Sequence, residues 1–270
     1  MPIDHYENFP IASILLPARL RQPVELIYRF ARSADDFADE GTRPDHERLM
    51  LLASYGDELR MIERGERSRV PLFQELGPAI KQHQLPIQLF HDLLSAFAQD
   101  VTKKRYADYS DVLDYCRRSA NPVGRLLLAL YQAATPLNLR YSDNICSALQ
   151  VINFLQDIRI DYATGRIYMP QDELARFNVS ETAIAAGTVN AAWRSFMTFQ
   201  INRTRRLLLD GAPLGRVLPG RIGLEMRMII AGGERILTKI AANGCDVFRR
   251  RPVLRMHDWP LMLLRTLSLK

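Results

Sequence analysis

The placement of proline constrains this chain more than any other feature of its sequence. Its 15 prolines leave six long stretches free: Val24–Arg43, Asp45–Val70, Ile87–Asn121, Leu137–Met169, Gln171–Ala212 and Arg221–Arg251. Inside a helix, proline lacks the N–H donor and clashes with the preceding turn, at a cost of roughly 3 kcal/mol or more. Long helices are therefore expected in the gaps. The apolar spacing agrees. Val24, Ile27, Tyr28, Ala31 and Ala34 recur at three- and four-residue intervals, as do Leu89, Leu93, Leu94, Phe97 and Val101, and again Leu126, Leu127, Leu130 and Tyr131. Alternating strand patterns are scarce, so the chain reads as all-α.

Between these helices, Arg64–Pro78 reads as a charged connection and Ala212–Gly223 as a loop. Thr164–Pro170 reads as a helix exit and turn, with Gly165 as the cap and Pro170 barring resumption. None of these has the composition of a linker, and no repeat of solenoid period is present. Residues 1–270 are expected to form a single helical domain.

With 47% apolar and 24% charged residues, disorder and fibrous repeats are excluded. The net charge of +6 is uneven: Phe199–Lys270 carries +9 and the first 198 residues −3. A basic C-terminal quarter suits an anionic membrane, a phosphorylated ligand or nucleic acid, and charge alone does not choose among them. Nucleic acid is disfavoured because no reader motif is recognisable and the basic segment is rich in Leu and Met. Cys116, Cys146 and Cys245 form no CxxC, which argues against a disulfide framework or zinc site. No run of 18 apolar residues suggests a membrane span, and Met1–Tyr6 lacks a secretory pattern. A cytoplasmic protein is expected, soluble or peripheral on the inner face of the membrane. For the latter, Phe248–Leu269 joins Arg249, Arg250, Arg251 and Arg255 to Trp259, Leu261, Met262, Leu263 and Leu264, as an interfacial segment on anionic lipid would. A last helix packed on the core is the plainer alternative.

Two acidic clusters carry the chemistry. In SADDFADE, Asp35 and Asp39 share a helix face, with Asp36 and Glu40 as a second pair beside them. In NFLQDIRID, Asn153, Asp157 and Asp161 fall on one face, with Gln150 a turn earlier, among Leu149, Val151, Ile152, Phe154, Leu155, Ile158 and Ile160. A helix so apolar is expected to be buried, and its carboxylates then need a cation, a base or a water-filled cavity. The plainer reading of either cluster is a solvated, ion-paired helix face. All-oxygen donors suit Mg²⁺, which commonly shares its shell with a phosphorylated substrate.

YRFARSADDFADE, followed far downstream by ALQVINFLQDIRIDYATGRIYMP, resembles the squalene/phytoene synthase family. The likeness runs from His5 to about Leu263. It implies an isoprenoid synthase fold: one helical bundle around a central cavity, with an aspartate-rich motif on each wall. HYENFPIAS, SANPVG, NFLQD and VFRRRPVL resemble the family's bacterial hopanoid branch. That branch converts presqualene diphosphate and water to hydroxysqualene and diphosphate, as a carbon–oxygen lyase. The alternatives are a head-to-head condensing synthase making presqualene diphosphate, squalene or phytoene, and a non-catalytic scaffold on the same fold.

The resemblance implies Mg²⁺ ligands at Asp35, Asp39, Asn153, Asp157 and Asp161, with the four aspartates catalytic and Asp36 and Glu40 behind or outside them. It implies substrate contacts from His5, Asn8, Tyr28, Arg32, Gln150, Arg166 and Tyr168, with His5–Asn8 closing over the prenyl diphosphate. Gln156 is also placed at the substrate. Two-diphosphate relatives commonly carry arginine there, so its neutrality favours an enzyme that ionises one diphosphate. Plainer readings make Tyr28 a core residue, Arg32 a surface partner of Asp36, His5 an exposed terminal residue and Gly124 a packing glycine. Phe196, Met197, Phe199, Met226 and Met228 read as core rather than cavity wall.

Overall fold

The computed structural model describes residues 17–39 and 41–268. These residues form thirteen helices and no strand, with one isolated parallel bridge between Arg105 and Ile167. The helices are α1 (Ala18–Asp39), α2 (Asp45–Glu63), α3 (Pro71–His83), α4 (Gln88–Thr102), α5 (Tyr109–Ser119), α6 (Asn121–Leu130), α7 (Pro136–Ala163), α8 (Gln171–Arg176), α9 (Glu181–Ala185), α10 (Ala191–Gly211), α11 (Leu214–Val217), α12 (Gly220–Ala242) and α13 (Asp258–Ser268). The fold is all-α.

Three proline-based boundaries are corrected. First, α1 begins at Ala18 and runs through Pro23, which forfeits only the bond that would reach the Arg19 carbonyl. Second, the expected connection Arg64–Pro78 ends at Pro71, the first residue of α3, where a missing N–H costs nothing. Pro78 sits inside α3, offset by the burial of Leu72, Phe73, Leu76 and Ile80. Third, Ala212–Gly223 is a tight helical corner rather than a loop: α11 lies within it and α12 starts at Gly220. A Cβ on Gly223 would stand 2.2 Å from the Leu218 carbonyl oxygen, so only glycine lets the corner close.

Two hydrophobic cores share the chain. One gathers α1 to α4 around Phe30, Phe73 and Phe90, with the ring of Phe30 edge-on to both others. The second surrounds α7 with α5, α10 and α12, including Phe196 and Met197, as expected of that stripe. Helices α4 and α6 serve both, since Phe97, Leu126 and Leu130 enter the first core while Ala96 and Leu128 enter the second. Gly124 takes its packing role here, because a Cβ would meet Ser142 Oγ at 2.3 Å across the α6–α7 contact.

Helix α7 is 28 residues long, about 42 Å at 1.5 Å per residue. Thr135 caps its start, accepting from the Asn138 amide at 3.2 Å, and Pro136 occupies the first turn. From Val151 to Ile158 its apolar side chains are buried, whereas Ile160 is 55% exposed. The helix stops where Gly165 adopts φ 81°, with the Arg166 amide bonding back to the Asp161 carbonyl at 2.8 Å. The exit is stitched to the segment after α4: the Ile167 amide donates to Lys104 O at 3.0 Å and that of Gln171 to Tyr106 O at 2.9 Å.

Candidate active site

The site opens where α1, from the first core, faces α7, from the second. Asp35 and Asp39 come from α1, and Gln150, Asn153, Asp157 and Asp161 from α7 at intervals that keep them on one face. They border a basin of about 160 Å³ with Asp100 of α4, Tyr115 of α5, Phe154, Arg166 and Tyr168. A wider recess of about 400 Å³ adjoins it, sharing Asp39, Asp161 and Arg166 and adding Arg48, Lys104 and Ile160. Exposure of Ile160 at this mouth explains why the apolar character of α7 ends there.

Guanidinium groups punctuate the carboxylates. Arg166 donates to Asp39 through Nη2 and, at 3.4 Å, through Nη1, which also reaches the Tyr168 hydroxyl at 3.3 Å. Arg251 grips Asp157 with two donors, the Nη2 bond being 2.9 Å. Arg32 stands 3.5 Å from Asp35 and 2.8 Å from Asp36. Behind the basin, Asp100 accepts from the hydroxyls of Tyr115 and Tyr168, the latter at 2.8 Å. Tyr168 also stacks on Phe154, with centroids 3.9 Å apart and planes 6° from parallel.

This crowding shifts proton affinities. Burial, then the charge of Asp39, pushes Asp35 up to about 7 against the pull of Arg32. Burial and Asp157 push Asp161 up to about 8 against Arg166. Burial lifts Asp100 to about 6 although both tyrosine hydroxyls and Arg166 oppose it. Tyr115 and Tyr168 are raised well above the usual phenol range by burial and by Asp100, and stay neutral. Three carboxyls driven towards neutrality mark an excess of negative charge that a divalent cation would relieve. The donors are oxygen throughout, as Mg²⁺ requires. Among the described residues, no three His, Cys, Asp or Glu side chains form a closed ligand group. Oxygen donors spread along two facing helices suit an ion that completes its shell with water and phosphate.

Residues singled out in the sequence distribute unevenly. Asp35, Asp39, Asn153, Asp157, Asp161, Gln150, Arg166 and Tyr168 converge on the basin. Tyr28 is half-buried and outside both recesses, and Arg32, which lines neither, pairs with Asp35 and Asp36. His5, Asn8 and Glu40 lie outside the described residues. Gln156 does not line the basin: it is 1% exposed, and its amide donates to the Pro252 carbonyl at 2.5 Å. The cation at that wall is Arg251. Three site residues were not anticipated. Asp100 was signalled by one carboxylate in the apolar run LLSAFAQDV, whereas Tyr115 and Arg251 have no comparable local signal.

Facing rows of oxygen donors, an arginine between them and an aromatic wall behind define an isoprenoid synthase in an all-α fold. The chain belongs to the squalene/phytoene synthase family, whose model matches residues 4–258, and is an enzyme of that family. It is 36% identical to a hydroxysqualene synthase of Rhodopseudomonas palustris over 233 residues, 86% of this chain and 78% of that one. Over 262 residues it is 33% identical to a hydroxysqualene synthase of Sinorhizobium fredii, covering 96% and 85% of the two chains. Among solved structures, squalene synthase HpnC from Alicyclobacillus acidocaldarius superposes with a TM-score of 0.82 at 36% identity, covering 89% of this chain and 90% of the other.

Proposed function

We propose that the chain is a hydroxysqualene synthase: it ionises presqualene diphosphate and captures the cation with water, releasing hydroxysqualene and diphosphate. The observation that carries this reading is the basin itself, with oxygen donors of α1 and α7 on facing walls and the aromatic wall behind. The two relatives of that name, at 33–36% identity, support it. Mg²⁺ held through Asp35, Asp39, Asn153, Asp157 and Asp161 would act as a Lewis acid, neutralising the charge that grows on the leaving diphosphate.

The chain's own groups do the rest. Arg166 lines both recesses and Lys104 the wider one, and they add positive charge where diphosphate departs. Among the described residues Arg166 Nε is buried without a hydrogen-bond partner, a donor left over beside the two Nη groups that hold Asp39. When the C–O bond breaks, its electron pair leaves with diphosphate and a cyclopropylcarbinyl cation remains. The rings of Tyr115, Phe154 and Tyr168 face it; each aromatic face contributes roughly 0.5–2 kcal/mol. Both phenols are neutral and donate to Asp100, so neither is a nucleophile that could trap the cation. Water adds after rearrangement, and its proton passes to the departed diphosphate.

The test supplies purified protein and Mg²⁺ with presqualene diphosphate or farnesyl diphosphate, with and without NADPH, and identifies products by gas chromatography and mass spectrometry. Hydroxysqualene from presqualene diphosphate, unaffected by NADPH, is expected. Squalene formed only with NADPH would refute the water-capture reading. Presqualene diphosphate accumulating from farnesyl diphosphate would favour a condensing synthase.

A further inference from the structure

Helix α13 is inverted relative to a helix that faces water. Its inward positions Asp258, Met262 and Thr266 are 0%, 2% and 2% exposed, so two of the three buried groups are polar. Outward it presents Trp259, Leu261, Leu263 and Leu264, which are 41–64% exposed. Met256, just before it, is 85% exposed. Five of the eleven large apolar side chains exposed among the described residues thus fall within nine positions. Surface helices ordinarily show the opposite polarity, and apolar residues so concentrated mark a contact surface.

This orientation is fixed by a buried ion cluster. Asp258 accepts from Arg235 Nε at 2.7 Å, from Lys239 Nζ and from the Arg255 amide at 2.7 Å. Three donors around one buried carboxylate clamp the start of α13 onto α12, so the apolar face is held outward. Around its base Arg249, Arg250 and Arg255 are all at the surface, Arg249 standing 3.6 Å from Asp246.

We infer that this face of α13 docks on an anionic lipid bilayer. An apolar helix face beside exposed arginines matches acyl chains beside anionic headgroups. A second copy of the chain fits less well, because a two-fold contact through this patch would bring the same arginines towards one another. The preceding strap ties the docking face to the site. Phe248 O accepts from Arg159 at 2.7 Å, Arg251 holds Asp157, and Pro252 O accepts from Gln156. Six residues separate Arg251 from Asp258, a span of at most about 25 Å. A lipophilic substrate or product therefore has the bilayer within a short reach of the basin. The inference does not depend on which reaction the site performs.

Flotation with vesicles of equal parts phosphatidylglycerol and phosphatidylcholine tests it, alongside vesicles of phosphatidylcholine alone. The full chain should float with the anionic vesicles at low salt, and its Trp259 emission should shift to the blue. Replacing Arg249, Arg250 and Arg255 by Gln should weaken that partitioning about fivefold per arginine. The triple variant Leu261→Ser, Leu263→Ser, Leu264→Ser should weaken it about a hundredfold on either vesicle. Circular dichroism should show both variants folded. Failure of the folded, intact chain to bind anionic vesicles at low salt would overturn the inference. So would a blue shift that persists in Trp259→Phe, or a dimer that the leucine variant dissolves.

Discussion

Asp100 should weaken the fold that holds it. The carboxyl is 4% exposed, and burial raises its proton affinity from the usual 3.8 to about 6 even with two phenols donating to it. Between those values the folded chain holds a proton that the unfolded chain has released. Stability therefore falls as pH rises through the window, and the full cost applies above it. At about 1.4 kcal/mol per unit, the shift corresponds to roughly 3 kcal/mol. In Asp100→Asn the amide oxygen still accepts from one phenol and the NH₂ group donates to the other, so shape and hydrogen bonding survive while the charge is lost. Measured without divalent cation, the variant should melt roughly 6–12 °C above the parent at about pH 8. The gap should close towards pH 4, and turnover with Mg²⁺ should fall, a stability gained at the expense of activity. Calorimetry of both proteins across this range is the assay. A variant less stable at pH 8, or a gap that does not change with pH, would refute the reasoning.

Other substitutions test the remaining assignments. Asp35→Ala and Asp157→Ala should each abolish diphosphate release while helicity stays unchanged by circular dichroism; near-normal turnover in either would remove that aspartate from the metal site. Gly124→Val drives side-chain atoms into Ser142 and Cys146 at the α6–α7 contact and should cost roughly 2–3 kcal/mol, read as a lower melting temperature. Gln156→Arg would place an arginine at the Pro252 contact, away from the basin, and should lower stability without conferring condensation of farnesyl diphosphate, as product analysis would show.

Much of this architecture is legible in the sequence because helical periodicity is local. Four-residue spacing alone sets Asp35 with Asp39, and Asn153 with Asp157 and Asp161, on shared helix faces. Proline is a weaker guide where burial of the surrounding helix face offsets one missing donor; hence Pro23 and Pro78 lie inside helices. Gln156 shows a different limit. It adjoins Asp157 in sequence, but one residue along a helix turns the side chain by about 100°. Gln156 therefore turns towards the strap at Pro252. Arg251, 94 residues from Asp157, supplies the charge at that wall through a contact that no local pattern encodes.

The position of the site follows from the division of the core. Carboxylates that repel one another are costly inside either core, and tolerable only at a boundary wet enough to solvate them or admit a cation. Helix α1 closes one core and α7 the other, so the faces they turn towards each other are where such residues can stand. The family's chemistry needs negative charge gathered in one place and an apolar wall beside it. At the seam both are available: Asp35 and Asp161 retain access to the basin, while Tyr115, Phe154 and Tyr168 belong to the second core and turn an aromatic surface towards it. Burial that raises the proton affinity of these acids is thus the same burial that supplies the wall.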